Sequence, residues 1–82
     1  MPTVLRKGGF NVKIYFNDHA PPHVHVIHQS GEATIGLVPL ELYATNGLTR
    51  NETAKAKQLV SENKEFLLHK WVELHGHTIV ST

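Results

Sequence analysis

The sequence predicts an α+β fold: an antiparallel sheet of three to four strands, built as two hairpins, with one long C-terminal helix packed on one face. Three observations carry that expectation. Apolar and polar residues alternate through Phe10 to Phe16 and again from His23 to Leu37, the period of a strand with one buried face. The pairs Gly8-Gly9 and Ser30-Gly31 divide the alternating runs at hairpin spacing. From Thr49 onward the apolar period lengthens to that of a helix and persists to the region of His75.

Val4 and Leu5, then Phe10, Val12, Ile14 and Phe16, form the first two extended runs. With Gly8-Gly9 as a two-residue loop, Lys7 faces Phe10, Leu5 faces Val12 and Thr3 faces Ile14. Leu5, Val12 and Ile14 then share one side of the sheet, and Asn11, Lys13 and Tyr15 the other. The loop from Asn17 to Pro22 leads into a strand over His23 to His28, and Ser30-Gly31 turns the chain into Glu32 to Leu37. That second loop pairs Val26 with Ile35 and Val24 with Leu37, whereas a slip of one residue sets Val26 against Thr34. It also sets His25 opposite Gly36, which has no side chain, so the space beside the imidazole is expected to be open.

Residues 38–48 admit two readings. Pro39 ahead of Leu40-Glu41-Leu42-Tyr43-Ala44 suits a short helix with proline in its first turn, while the alternation of Leu40 and Leu42 also permits a strand. Asn46-Gly47 ends the segment either way. Thr49 and Glu52 have the spacing of a capping box, so Thr49 opens the long helix from about Arg50 to His75. Apolar positions 56, 59, 60, 67, 71 and 74 form its stripe, widened by Phe66 and Leu68, and Trp71 is the expected core anchor. Asn63 falls on that stripe and either marks its edge or finds a polar partner. Gly76 is the expected stop, with Lys70 and His75 at the negative end of the helix dipole. Residues 77–82 are expected to be a tail or a short edge strand.

Eighty-two residues make one domain, residues 1–82, with a modest core that removes about 60 to 65% of the unfolded surface from water. Eight Lys and Arg against seven Asp and Glu leave a formal charge of +1, so charge does not point to a nucleic-acid partner. No cysteine is present, which removes disulfides and thiolate metal sites and fits a reducing compartment. No stretch has the apolar core of a signal peptide or the roughly 18 to 20 apolar residues of a membrane span. A cytoplasmic protein is expected.

The unusual chemistry lies between Asn17 and His28, which holds four of the seven histidines, at 19, 23, 25 and 28. Pro21-Pro22 stiffens the loop, since each ring fixes φ and removes a backbone donor, and it delivers a strand at His23. Period two then puts His23 and His25 on one face and Val24 and Val26 on the other. We expect the two histidines side by side on the face away from the helix, with Tyr15 near them and His19 brought close by the loop. His-x-His on a strand with a nearby third donor is a workable site for Zn or Ni, with His19, His23 and His25 as ligands and Asp18 as an alternative third. The same histidines could act as an acid and base, with Lys13 or Tyr15 stabilising developing charge. They could equally be structural residues hydrogen-bonded to the loop, or part of a surface that docks another protein. The alternating triad of nucleotide hydrolases does not fit, because it needs a histidine where Ile27 stands.

Met-Pro-Thr-Val-Leu at the start, the string Asp18-His19-Ala20-Pro21-Pro22-His23-Val24-His25-Val26, Asn46-Gly47-Leu48 and the long helix ending at Trp71 to Gly76 together resemble the small bacterial family called domain of unknown function 4160. The resemblance spans nearly the whole chain. It implies a fold more than an activity. Members are often encoded beside another small protein, which implies toxin-antitoxin or regulatory pairs, and some carry a label as transcriptional regulators. Val38 stands where the family pattern implies an aspartate that would cap a short helix, and Asn11-Val12-Lys13 replaces a more aromatic second strand.

The expected function is therefore a non-enzymatic binding or regulatory module of a two-gene, toxin-antitoxin-like system, with the neighbouring gene's product as partner. The alternative is a small His-dependent nuclease or hydrolase, with or without a metal, using the face of His19, His23 and His25. The candidate ligand-binding set is Lys13, Tyr15, Asp18, His19, His23 and His25.

Overall fold

The computed structural model describes residues 3–15 and 17–75. Five antiparallel strands follow one another as a meander: β1 (Thr3–Lys7), β2 (Phe10–Lys13), β3 (His23–His28), β4 (Gly31–Leu37) and β5 (Leu40–Asn46), in the spatial order β1-β2-β3-β4-β5. Two helices, α1 (Arg50–Glu62) and α2 (Lys64–His75), complete the α+β architecture. Expectations for Phe16, Gly76 and residues 77–82 lie outside the described residues.

The first hairpin begins as the sequence implies, with Lys7 opposite Phe10 and Leu5 opposite Val12. Beyond that pair Thr3 meets Lys13 rather than Ile14, because Val4 is an extra residue on β1. A regular strand would send Val4 and Leu5 to opposite faces, yet both pack against the core. The bulge allows this.

The second hairpin turns at Gln29-Ser30 instead of Ser30-Gly31, so Val26 faces Ala33 and Val24 faces Ile35. The shift from the expected pairing is two residues, which leaves every side chain on its expected face. Ala33 is apolar like Ile35, so hydrophobic matching cannot separate the two registers. Gly31 decides between them. A Cβ there would lie 2.0 Å from the Asn46 carbonyl oxygen and 2.7 Å from Gly47 Cα, so this glycine is needed inside the strand where the end of β5 passes closely.

Residues 40–46 form a fifth strand, not a short helix, and the sheet is larger than the three to four strands expected. Val38 offers no side-chain acceptor for a helix N-terminus. A strand there pairs Leu37 with Leu40 and Ile35 with Leu42, which satisfies the backbone of a β4 whose Ile35 and Leu37 are fully buried. Tyr43 is an extra residue in β5, between the pairs Thr34–Ala44 and Ile35–Leu42.

The capping box forms as expected. Glu52 N–H donates to Thr49 Oγ1 at 3.1 Å, and Thr49 N–H donates to Glu52 Oε1 at 2.9 Å. The single long helix, however, is broken at Asn63. Its side-chain amide donates to the Leu59 carbonyl at 2.8 Å, taking the position of a normal helical N–H, while its own N–H turns back to Val60. Asparagine competes in this way with the backbone of a helix. The Asn63 carbonyl then accepts from Leu67 N–H and starts α2.

The core lies between one sheet face and the two helices. Val12, Ile14, Val24, Val26, Ile35 and Leu37 from the sheet side are fully buried with Ala56, Val60, Leu67 and Trp71 from the helices. Leu68 and Leu74 border this cluster, and Phe66 of the expected stripe is exposed.

Candidate functional site

At one end of the sheet, β2 runs out at Lys13, the loop over Tyr15 to Pro22 crosses, and β3 begins at His23. The loop is tied to itself and to the sheet. Asp18 N–H donates to the Tyr15 carbonyl at 3.1 Å, Tyr15 N–H donates to Asp18 Oδ2 at 3.0 Å, and Leu37 N–H donates to the Pro22 carbonyl at 3.0 Å. This reciprocal turn fixes the Asp18 carboxylate over the strand that carries the histidines.

His23 and His25 project from the same side of β3, with ring centroids 5.2 Å apart. Asp18 Oδ1 lies 3.1 Å from His25 Nε2 and 3.5 Å from His23 Nε2. A carboxylate oxygen only accepts, so His25 carries a hydrogen on Nε2 in this contact. The Pro21 carbonyl, 2.9 Å from His23 Nδ1, also only accepts, so His23 carries its hydrogen on Nδ1. In neutral His23 the nitrogen facing Asp18 is therefore a lone pair. All three side chains are half-buried, with exposures of 12% for Asp18, 15% for His23 and 23% for His25. Burial acts to raise the Asp18 pKa, but the Tyr15 amide, the His25 hydrogen bond and the nearby His25 and His23 charges outweigh it and hold the carboxyl below its ordinary value.

The proposed companions divide. Tyr15 packs edge-on against His25, with ring centroids 4.8 Å apart, and Lys13 pairs with His25 across β2 and β3. His19 is exposed and contributes no donor to the converging group, which is Asp18, His23 and His25. The group that converges thus contains Asp18 and not the expected His19, because the turn from Tyr15 to Asp18 points the aspartate, and not its neighbour, at the strand. His28 lies on the other face of β3, its ring 4.7 Å from Phe10.

Two further expectations change. His23 is not remote from the helical layer: its ring is 5.3 Å from that of Trp71, which stacks at 3.8 Å on His75. His75 Nε2 in turn lies 3.2 Å from the Tyr15 carbonyl. The break at Asn63 makes α2 a separate element, and its last turns border the site. The space opened by Gly36 is opposite His23 rather than His25, and it is filled, since a Cβ on Gly36 would come within 2.6 Å of the Tyr43 ring. Tyr43, Trp71 and His75 were absent from the sequence-derived set. The i, i+4 spacing of Trp71 and His75 places them on one helix face, but nothing local links that face to His23. Tyr43 reaches its position through a bulge that alternation does not reveal.

Among the described residues no helix is long and apolar enough to cross a membrane. No curated protein and no solved structure is significantly similar to the chain. The model of one family, described as a domain of unknown function (DUF4160), matches residues 9–72, a span that takes in the whole Asp18–His23–His25 site and most of both helices. With most of its length matched, the chain belongs to the DUF4160 family.

Proposed function

We propose that this chain is a non-enzymatic binding module of a two-gene, toxin-antitoxin-like or regulatory pair. Its docking surface is the end of the sheet that carries Tyr15, Asp18, His23, His25 and Tyr43, and its partner is the small protein encoded beside it. The observation that carries this reading is the pre-organisation of that surface. His23 is held by Pro21, His25 by Asp18, and Asp18 by the Tyr15 amide, so little side-chain freedom remains to be lost on binding. Tyr43, 43% exposed, adds an aromatic edge of the kind enriched at protein interfaces.

A catalytic reading has one observation in its favour, the contact of two imidazoles with a carboxylate, which is an acid–base set. Both Nε2 atoms, however, lie against the same oxygen of Asp18, at 3.5 and 3.1 Å. Co-expression with the neighbouring gene decides between the readings. The binding module forms a stoichiometric complex that survives gel filtration and is lost on Tyr43→Ala combined with His25→Ala. A chain that forms no complex yet turns over RNA or a phosphoester is an enzyme, and the proposal falls.

A further inference from the structure

We propose that Asp18, His23 and His25 bind one divalent transition-metal ion through two imidazoles and one carboxylate. This deepens the reading of that end of the sheet as the working surface, by naming the ion it takes. One donor atom from each of the three side chains lies within 4.8 Å of the other two. Asp18 Oδ1 stands 3.1 Å from His25 Nε2 and 3.5 Å from His23 Nε2. Donors on a tetrahedral ion with bonds of about 2.0 to 2.1 Å are themselves roughly 3.3 to 3.4 Å apart. The carboxylate-to-imidazole spacings therefore already match, and only the two rings need to close towards each other.

The tautomers agree with this use. His23 donates from Nδ1 to the Pro21 carbonyl, the type of second hydrogen bond that orients metal-bound imidazoles, and so presents the Nε2 lone pair to the site. Asp18 is held from behind by the Tyr15 amide on Oδ2, which leaves Oδ1 for the ion. His25 needs one change: the hydrogen on its Nε2 moves to Nδ1, a tautomer shift that alters no charge and frees both Nε2 and Asp18 Oδ1 to coordinate. Two imidazoles with a single carboxylate favour Zn(II) and its neighbours over Mg(II) or Ca(II), which take oxygen sets. With three ligands from the chain, the remaining position on the ion is left for water or for a donor from a docked partner.

The test is a titration of chelator-treated protein with Zn(II), followed by imidazole NMR signals and by the fluorescence of the single tryptophan, Trp71, whose ring is 5.3 Å from His23. The expected result is one ion per chain, with shifts confined to the His23 and His25 rings and a change in Trp71 emission. Asp18→Asn and His25→Ala should each weaken binding by about tenfold or more, His19→Ala should leave it unchanged, and a large excess of Mg(II) should not displace the ion. The proposal is overturned if Zn(II) fails to bind at micromolar concentrations, if the shifts appear at His19 or at the exposed His69–Glu73 pair, or if Asp18→Asn binds as the native chain does. The NMR shifts of the native chain decide the matter even if a variant does not fold. Repeating the partner pull-down with chelator separates the two proposals: a complex that forms equally well without Zn(II) leaves the docking surface standing, and the ion is then judged by the titration alone.

Discussion

Asp18 illustrates how much a single side chain holds at this site. Its Oδ2 accepts the Tyr15 amide and its Oδ1 accepts His25, so Asp18→Ala leaves two half-buried donors without partners. A loss of about 1 to 3 kcal/mol is expected by urea unfolding of the metal-free protein. The pH dependence follows from the depressed carboxyl. A group whose folded pKa lies below its unfolded value binds fewer protons when folded, so its contribution is present above the unfolded pKa of about 3.9 and is lost as pH falls through the lower folded value. The difference in stability between the native chain and Asp18→Ala should therefore shrink below about pH 4. A gap that still widens below about pH 4 would contradict the assignment. Trp71 carries a different kind of weight: it is fully buried in the core beside His23, and Trp71→Ala should cost about 3 to 5 kcal/mol. An unchanged melting temperature would reject this packing.

The two glycines of β4 test the sheet's construction at the level of whole strands. At Gly31 an added Cβ meets backbone, the Asn46 carbonyl and Gly47, and the end of β5 must move away. At Gly36 it meets the far end of the Tyr43 side chain, which can rotate aside. Gly31→Ala should thus destabilise by about 1 to 3 kcal/mol, with faster amide exchange across the β4–β5 pair, while Gly36→Ala should cost less and mainly displace Tyr43. Equal losses from the two substitutions would refute the register. For α1, Thr49→Ala removes the acceptor for Glu52 N–H, and a loss of about 1 kcal/mol is expected from the cap. Asn63 marks the other end of the same element, where a side-chain amide replaces one backbone donor and divides the stripe into two helices.

Sheet and helices share one cluster of buried side chains, from Phe10 in β2 to Trp71 in α2. Such a core should be lost as a unit, so far-UV circular dichroism and Trp71 fluorescence should report the same urea midpoint. Two separate midpoints would show that α2 leaves the sheet independently. The arrangement also couples the site to the core, since the ring of buried Trp71 touches both His23 and His75. An ion held at His23 would then stabilise the whole chain by mass action, by roughly 2.7 kcal/mol when its concentration is a hundred times its dissociation constant.

Local chemistry was sufficient for what depends on neighbours in the chain. The Gly8-Gly9 hairpin, the Thr49–Glu52 cap, the core faces of β2 and β3 and the shared side of His23 and His25 all follow from turn residues, capping spacing and period two. Tertiary contact decided the rest. The register of the β3–β4 hairpin rests on Gly31 lying against Asn46 and Gly47, a contact between β4 and the end of β5 that hydrophobic pattern does not encode. Leu40 to Asn46 became a strand because β4 offered a partner, and Val4 and Tyr43 became bulges because core and site required side chains where strict alternation would not put them. The same holds at the site. The Pro21-Pro22 string announced that histidines would converge, but only the folded turn selects Asp18 over His19, and only the packing of α2 sets Trp71 and His75 at its edge. Sequence spacing fixes which face a residue occupies where a strand runs without a bulge; which residues meet across that face is fixed by the paths of segments that are distant along the chain.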